Sequence, residues 1–437
     1  MRIVVVGGGL GGMAAAARLA KLGHEVALLE ASGRLGGALA PVEQDGYRWD
    51  AGPTSTLLPA ALRDLFRKSG RALEKELESD LEPLPVLREH RFADRTSVLL
   101  PGGSRAGQIA AFDALGPGLG ETWATHVDVY GPVWDVLRRH YVEVPWDPRT
   151  KGAVPKELDS MFNIRETLHK RLRHVFRDER LALVAGHPAV AEGHDLRNVP
   201  SWVGVTAYLE QCFGGWQVPG GMGRVVELLT ARLETRGVRV RTGLEVEDLV
   251  LREGRAVAVR TAEGDADADA VVVAIDPRRL PVLAPHVERT MPAIPPVVSH
   301  VGLAGDVPDL PHELVIHEEP LLTVRPGGSA PEGGAAWTIH GRGKIAEDLL
   351  DALARHRLDV RENVVTRVDL SPRDQVEQWR GSPMGVLWQG RGTVRRRIGP
   401  GTPVPGVYAA GAHTAPGAGV PFVTQSAALV AQLIGPA

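Results

Sequence analysis

Three glycines near the start of the chain, Gly7, Gly9 and Gly12, stand in the spacing G-x-G-x-x-G. Glycines so spaced let a backbone turn tightly against a pyrophosphate and offer it amide N–H groups at a helix N-terminus. Alone, the triplet is a weak signal, because glycine-rich turns are common. Its surroundings strengthen it. A β-branched run at 2–6 precedes it, an Ala/Leu-rich helical stretch at 13–22 follows, and Gly23 stands where a left-handed cap ends a helix. A second strand is expected at 25–30 and ends on Glu30. An acidic side chain there is placed to bind both hydroxyls of an adenosine ribose, and it argues against a 2′-phosphate.

The residues after Glu30 bear on which dinucleotide is bound. Ala31-Ser32-Gly33-Arg34-Leu35-Gly36-Gly37 completes E-x-x-x-R-x-G-G, the pattern of large FAD-dependent oxidoreductases, in which the longer dinucleotide runs past the second strand. Arg34 and the flexible glycines suit a diphosphate and ribityl chain, although Arg34 alone also fits a solvated surface charge.

Several classes are excluded by composition. The chain has 437 residues, 43% hydrophobic and 24% charged, as expected of a globular enzyme with two connected domains or one large insertion. A net charge of −3 advertises no nucleic-acid partner. Cys212 is the only cysteine, which removes intramolecular disulfides, CxxxxC redox pairs and cysteine-rich metal sites. HxxxH and HExxH are absent, so no catalytic metal is expected. The apolar N-terminus reads as the nucleotide-binding strand and helix rather than a secretory signal. No apolar stretch reaches the ~18–20 residues needed to span a bilayer. A cytoplasmic location, allowing peripheral contact with a membrane, is the expectation.

Further along, an amphipathic helix is expected at 57–71, with Leu58, Leu62, Leu65 and Phe66 on one face. Residues 74–195 read as charged helical patterns with proline breaks. A long helix is expected through 161–183, ending near Gly186-His187-Pro188, with His187 and His194 as loop histidines. Then come a helix at 225–234, a strand at 238–241, a hairpin of 246–251 and 256–261, and a buried strand at 270–275. The stretch 291–389 shows strand patterns and one helix at 345–357, and an Ala-rich helix at 423–434 closes the chain. The fold class read from this order is α/β: a Rossmann-type FAD-binding domain with a parallel central sheet and an inserted α+β substrate domain. The expected division gives 1–72, 205–288 and 392–437 to FAD, and 73–204 with 289–391 to substrate.

Four separated segments carry a family resemblance: VVVGGGLGGMAAAARLAKLGHEVALLEASGRLGG with Asp50-Ala51-Gly52-Pro53-Thr54; FGGWQVPGGMGRVVELL; DADAVVVAIDPRRL; and GVYAAGAHTAPGAGVP. In this order they resemble the bacterial phytoene desaturases (carotenoid desaturases) within the amine-oxidase and desaturase superfamily, whose FAD domain is glutathione-reductase-like. The substrate-domain stretches match only in general character. Two departures stand out. Ala412-His413 follows Gly411 where many superfamily members carry an acidic residue, which favours desaturases over amine oxidases, and the common GGR triplet reads Gly36-Gly37-Ala38.

The resemblance implies FAD as cofactor and a role for each matching position. Gly7, Gly9, Gly11 and Gly12 face the pyrophosphate, Glu30 with Ala31 the adenosine ribose, and Arg34, Gly36 and Gly37 the central part of FAD. Gly52, Pro53 and Thr54 lie near the isoalloxazine, and Val246 lends backbone contacts to adenine. Gly411 and Ala412 lie by the ribityl-phosphate, with Gly419, Val420 and Pro421 beneath the flavin ring. There the closing helix turns its positive end toward the pyrimidine. The implied reaction is desaturation of a lipophilic or polyene-like small molecule by hydride transfer to flavin N5, with dioxygen or a quinone as electron acceptor. Phytoene itself is not expected, since the chain is short for its family; carotenoid biosynthesis or secondary metabolism is the setting. His413 is the one candidate for proton exchange, and packing or hydrogen bonding explains it equally. Trp202 and Trp216 could line a tunnel or fill a core, and Arg395-Arg396-Arg397 could meet lipid headgroups, cofactor phosphates or solvent. Three rivals remain: an amine or amino-acid oxidase, a secondary-metabolite tailoring oxidase, and a non-enzymatic prenyl- or lipid-binding escort protein. A simple NAD dehydrogenase leaves the C-terminal motif unexplained.

Overall fold

The computed structural model describes residues 1–146 and 154–437. The β-branched run forms strand Arg2–Val6, the centre of a five-stranded sheet. Glu25–Leu29 and Ala270–Val273 flank it, Arg239–Arg241 and Val407–Ala409 form the edges, and every pairing is parallel. Ile3 and Val5 enter one core while Val4 and Val6 enter the other. Burial on both faces is why the strand reads as a continuous apolar run. Helices Leu10–Lys21, Pro59–Ser69, Gly223–Thr235 and Val420–Ile434 cover the first face. A three-stranded antiparallel sheet, Val246–Arg252, Arg255–Thr261 and Gly264–Asp267, contributes to the core on the second. This is the Rossmann-type α/β arrangement expected from the sequence.

Helix Gly223–Thr235 begins without a cap of its own, since Met222 offers no side-chain acceptor. Asp50 supplies one from a distant loop, its carboxylate accepting from Met222 N at 3.1 Å and Gly223 N at 3.2 Å. Burial pushes this carboxyl upward while the two N–H donors oppose the shift. Asp50→Ala strands both N–H groups, and a loss of about 1–2 kcal/mol in a urea unfolding midpoint is expected.

The remaining stretches build a seven-stranded sheet and a layer of helices. The sheet order is Val364–Leu370, Val297–Ala304, Gly334–Arg342, Leu321–Pro326, Leu314–His317, Val86–Phe92 and Ser97–Pro101. Only the pairing of Leu314–His317 with Val86–Phe92 is parallel. The two strands before residue 102 correct the reading of 74–195 as helical. The long helix expected at 161–183 is also corrected. It is three helices, Lys156–Asn163, Leu168–Val175 and Glu179–Ala191, and new N-caps at Thr167 and Asp178 interrupt the pattern. The third runs through Gly186 and Pro188, so His187 is a buried helical residue rather than a loop histidine. Helix Val205–Phe213 belongs to the expected cofactor half by number, yet Val205, Ala207 and Leu209 pack into the helical core. Among the described residues no helix is long and apolar enough to cross a membrane.

Candidate active site

Three glycine-bearing segments meet where the central sheet ends. Gly36 N donates to Gly8 O at 2.8 Å, and Gly9 bridges Gly36 in parallel fashion. A β-carbon on Gly11 would meet Gly411 Cα at 2.9 Å, and one on Gly37 would meet Gly9 Cα at 3.1 Å. Backbones this close admit no side chain between them. Glu30 pins the same corner, its carboxylate accepting from Gly8 N at 2.6 Å and Ser32 N at 2.7 Å.

A cavity of about 470 Å³ opens from this corner. Gly7, Gly9, Gly11, Glu30, Ala31, Arg34, Gly36, Gly37, Gly52, Pro53, Thr54, Val246, Gly411, Ala412, Gly419 and Val420 all line it. Gly12 and Pro421 stand behind the wall. Gly12 has no room for a side chain because the Gly7 carbonyl oxygen occupies that space, and Pro421 is buried in the first turn of the closing helix. That helix starts at Val420, three residues earlier than the sequence suggested.

The cavity continues past Gly52–Thr54 into a region bounded by Leu57, Leu84, Leu87, Pro188 and Ala191. An ionic cluster that sequence reasoning missed sits on its wall. Arg88 Nη2 donates to Glu210 at 2.7 Å and Arg88 Nε to Glu313 at 3.0 Å. Arg325 Nε donates to the other Glu313 oxygen at 2.7 Å. Arg325 Nη1 reaches the Gly52 carbonyl at 3.5 Å, and His312 Nε2 lies 3.1 Å from Thr54 Oγ1. Burial pushes the Glu313 carboxyl upward, but the Arg325 charge, His187 and Arg88 outweigh it and hold it well below the usual range. Neighbouring His187 and His312 are both pushed down, chiefly by burial, and stay neutral. The available signal was a lone charge inside an apolar strand context, as with Glu313 ahead of Leu314–His317 and Arg325 within Leu321–Pro326.

His413 also lines the cavity, nearly buried, with Nδ1 3.8 Å from Asp276. Burial lowers its pKa, which leaves a neutral imidazole. The other candidates divide. Trp202 packs in the helical core against Trp388 and Phe162, and neither it nor Trp216 lines the cavity. Arg397 is buried over the Trp388 ring while Arg395 pairs with Asp159, so the arginine triplet is not one solvated or lipid-facing patch. Leu62, Leu65 and Phe66 are fully buried in the core, which settles that helix face as packing rather than a membrane dip.

The residues present fit FAD. Helices Leu10–Lys21 and Val420–Ile434 both open onto the cavity at glycines, with no side-chain cap and no acidic residue in the first turn. Their free N–H groups and positive ends suit a diphosphate and an electron-rich ring. Glu30, at the tip of the second strand, faces the same space.

Comparison with known proteins agrees. The family model for flavin containing amine oxidoreductases matches residues 10–300. A hydroxyneurosporene desaturase of Cereibacter sphaeroides is 28% identical, over 99% of this chain and 97% of its own. A neurosporene-forming phytoene desaturase of the same organism is 26% identical, over 99% and 94%. Among solved structures, a putrescine oxidase superposes with a TM-score of 0.68 at 16% identity, over 99% of each chain.

Proposed function

Because the chain belongs to the flavin containing amine oxidoreductase family and is an FAD-dependent oxidoreductase, we propose that it desaturates a lipophilic polyene. One observation carries the reading: a single cavity runs from the glycine cradle, past Gly52–Thr54, to the region bounded by Leu57, Leu84, Leu87, Pro188 and Ala191. The names of the desaturase relatives support a polyene. Bound FAD supplies a two-electron acceptor for the hydride of a substrate C–H bond.

The chain's own residues do the rest. Gly7, Gly9 and Gly11 present backbone to the diphosphate, Glu30 takes the ribose hydroxyls, and Gly419 with Val420 aims the closing helix at the flavin ring. Leu57, Leu84 and Leu87 hold the apolar chain and exclude water. A proton leaves the carbon next to the one that lost hydride, and a C=C bond results. His413, neutral on the cavity wall, can accept that proton. Residues 73–204 with 289–391, joined by helix Val205–Phe213, form the substrate side, and a cytoplasmic protein in peripheral contact with lipid, with dioxygen or a quinone as final acceptor, fits the whole.

An amine oxidase is the second reading, given the fold neighbour. It needs uncompensated negative charge to hold an ammonium. Glu210 and Glu313 are paired with Arg88 and Arg325, Asp276 with Arg278 and Glu245 with Arg380. Apart from Glu30 at the cofactor corner, this leaves Glu192, 3.5 Å from His194, as the lining carboxylate without an arginine partner among the described ion pairs. Anaerobic titration of the holoenzyme decides between them. A linear polyene is expected to bleach the flavin absorbance while aliphatic diamines leave it unchanged, and the reverse pattern would overturn the reading.

A further inference from the structure

The cavity reaches solvent beside the Glu30 corner, where Glu245, Arg279 and Gln378 line it and are exposed. Glu245 stands at the corner itself. Gly243 N donates to Ser32 O at 2.8 Å and Leu244 N to Glu30 O at 2.9 Å, which lays the approach to strand Val246–Arg252 along Glu30 and Ser32.

The opposite rim comes from the other half of the chain. Residues 378–384, at the end of helix Pro372–Gln378 and beyond it, line the cavity without a break. They press onto the cofactor half. A β-carbon on Gly381 would meet Asp276 Cβ at 2.8 Å, and one on Gly385 would strike the Ala412 carbonyl oxygen. Arg380 precedes Gly381 with a left-handed φ of 53°, a conformation that favours glycine. What an arginine adds there is its side chain, whose Nη2 donates to Glu245 Oε2 at 3.1 Å. One ion pair thus spans the mouth, with one partner from each half. Its side chains are 41% and 51% exposed, so it contributes little to folding.

We infer that Arg380 and Glu245 form a latch across the route by which FAD enters and leaves. The inference rests on the placement of the FAD adenosine at Glu30 and is independent of the substrate. The pair must part before the dinucleotide passes in either direction. It therefore raises the barrier to binding and to release alike, and leaves the affinity unchanged. A residue that touches FAD acts differently, since losing it speeds release and weakens affinity together.

The release rate is read from holoprotein carrying radiolabelled FAD and chased with excess unlabelled FAD, and Kd from equilibrium dialysis. Glu245→Gln and Arg380→Gln are each expected to speed release about three- to fivefold, the scale of an exposed ion pair, with Kd unchanged. The double variant is expected to release no faster than either single one, because both remove the same contact. Release at the unsubstituted rate by both single variants overturns the latch, and so does additive acceleration in the double. A Kd that rises in step with release makes the pair a cofactor contact and overturns it too. Glu30→Ala checks the placement and is expected to weaken FAD binding at least about tenfold. Unweakened binding by Glu30→Ala puts the adenosine elsewhere, and the latch falls with it. Weakened binding by Glu30→Ala, with unchanged release from the two Gln variants, removes the latch and leaves the placement and the desaturation reading standing.

Discussion

Gly9→Val is expected to give a folded protein that purifies without FAD. Gly9 has extended backbone angles, φ −73° and ψ 179°, that any residue adopts. A β-carbon there has only Gly37 Cα as a neighbour, at 4.0 Å, so the branched side chain projects into the cavity rather than into protein. The protein's own packing is spared, and the space beside the uncapped start of helix Leu10–Lys21 is taken. A diphosphate held by backbone N–H groups cannot approach across a valine. The loss in FAD affinity is expected to exceed about 100-fold, or ~2.7 kcal/mol. Flavin content on purification and equilibrium dialysis measure it, and far-UV circular dichroism shows whether the fold persists. Gly12→Val gives the contrast. Its side chain overlaps the Gly7 carbonyl oxygen, so the turn itself breaks and stability falls along with flavin content. A Gly9→Val protein that retains a full complement of FAD would place the dinucleotide elsewhere.

Acid is expected to unfold this protein well above the pH at which its carboxylates protonate. Burial pushes His126 and His300 down to about 4 and His317 down to about 3, the last helped by the nearby Arg88 guanidinium. His90 and His340 lie well below the ordinary value for the same first reason. A folded-state pKa below the unfolded value, ~6.5, means that the unfolded chain takes up protons that the native state refuses. Stability from these groups is therefore present above ~6.5 and is lost as pH falls from there toward about 4. Between about pH 7 and about pH 5, linkage puts the loss on the order of 1–2 kcal/mol for each such histidine. Three of them approach a large share of the ~5–15 kcal/mol that holds a typical protein folded. Urea midpoints across that range measure the slope. His126→Phe checks the cause, since His126 packs between Tyr130 and Phe176 and neither ring nitrogen has a partner among the described residues. That variant should extend stability to lower pH. A flat profile from about pH 7 to about pH 5 contradicts the account.

What the sequence made legible is the part where local spacing and physical role coincide. Ile3 to Val6 are apolar without a break because both faces of the central strand are covered, and Gly7 to Gly12 follow because helix and strand must close on each other. The substrate side follows no such local rule. Val86–Phe92 carries Arg88, Glu89, His90 and Arg91, so its strand character is hidden. The outward alternation fails because Arg88 and His90 turn inward, to the buried Glu313 and the half-buried His317. Thr167 and Asp178 look like interior residues of one long helix until their side chains are seen to accept from Lys170 N and Arg180 N. The ionic cluster draws Arg88, His187, Glu210, Glu313 and Arg325 from separate elements, and no spacing in the chain announces that they meet. His413 was legible because it sits inside a motif, whereas Arg88 was not.

The central claim is that this FAD-dependent protein removes hydrogen from a carbon chain. Incubating the purified holoenzyme with a partly saturated polyene under air, and reading the product by absorbance and mass, tests it most directly. The account predicts a product lighter by two hydrogens, with absorption shifted to longer wavelength as conjugation extends. An unchanged polyene, together with release of ammonia from an added amine, would contradict it.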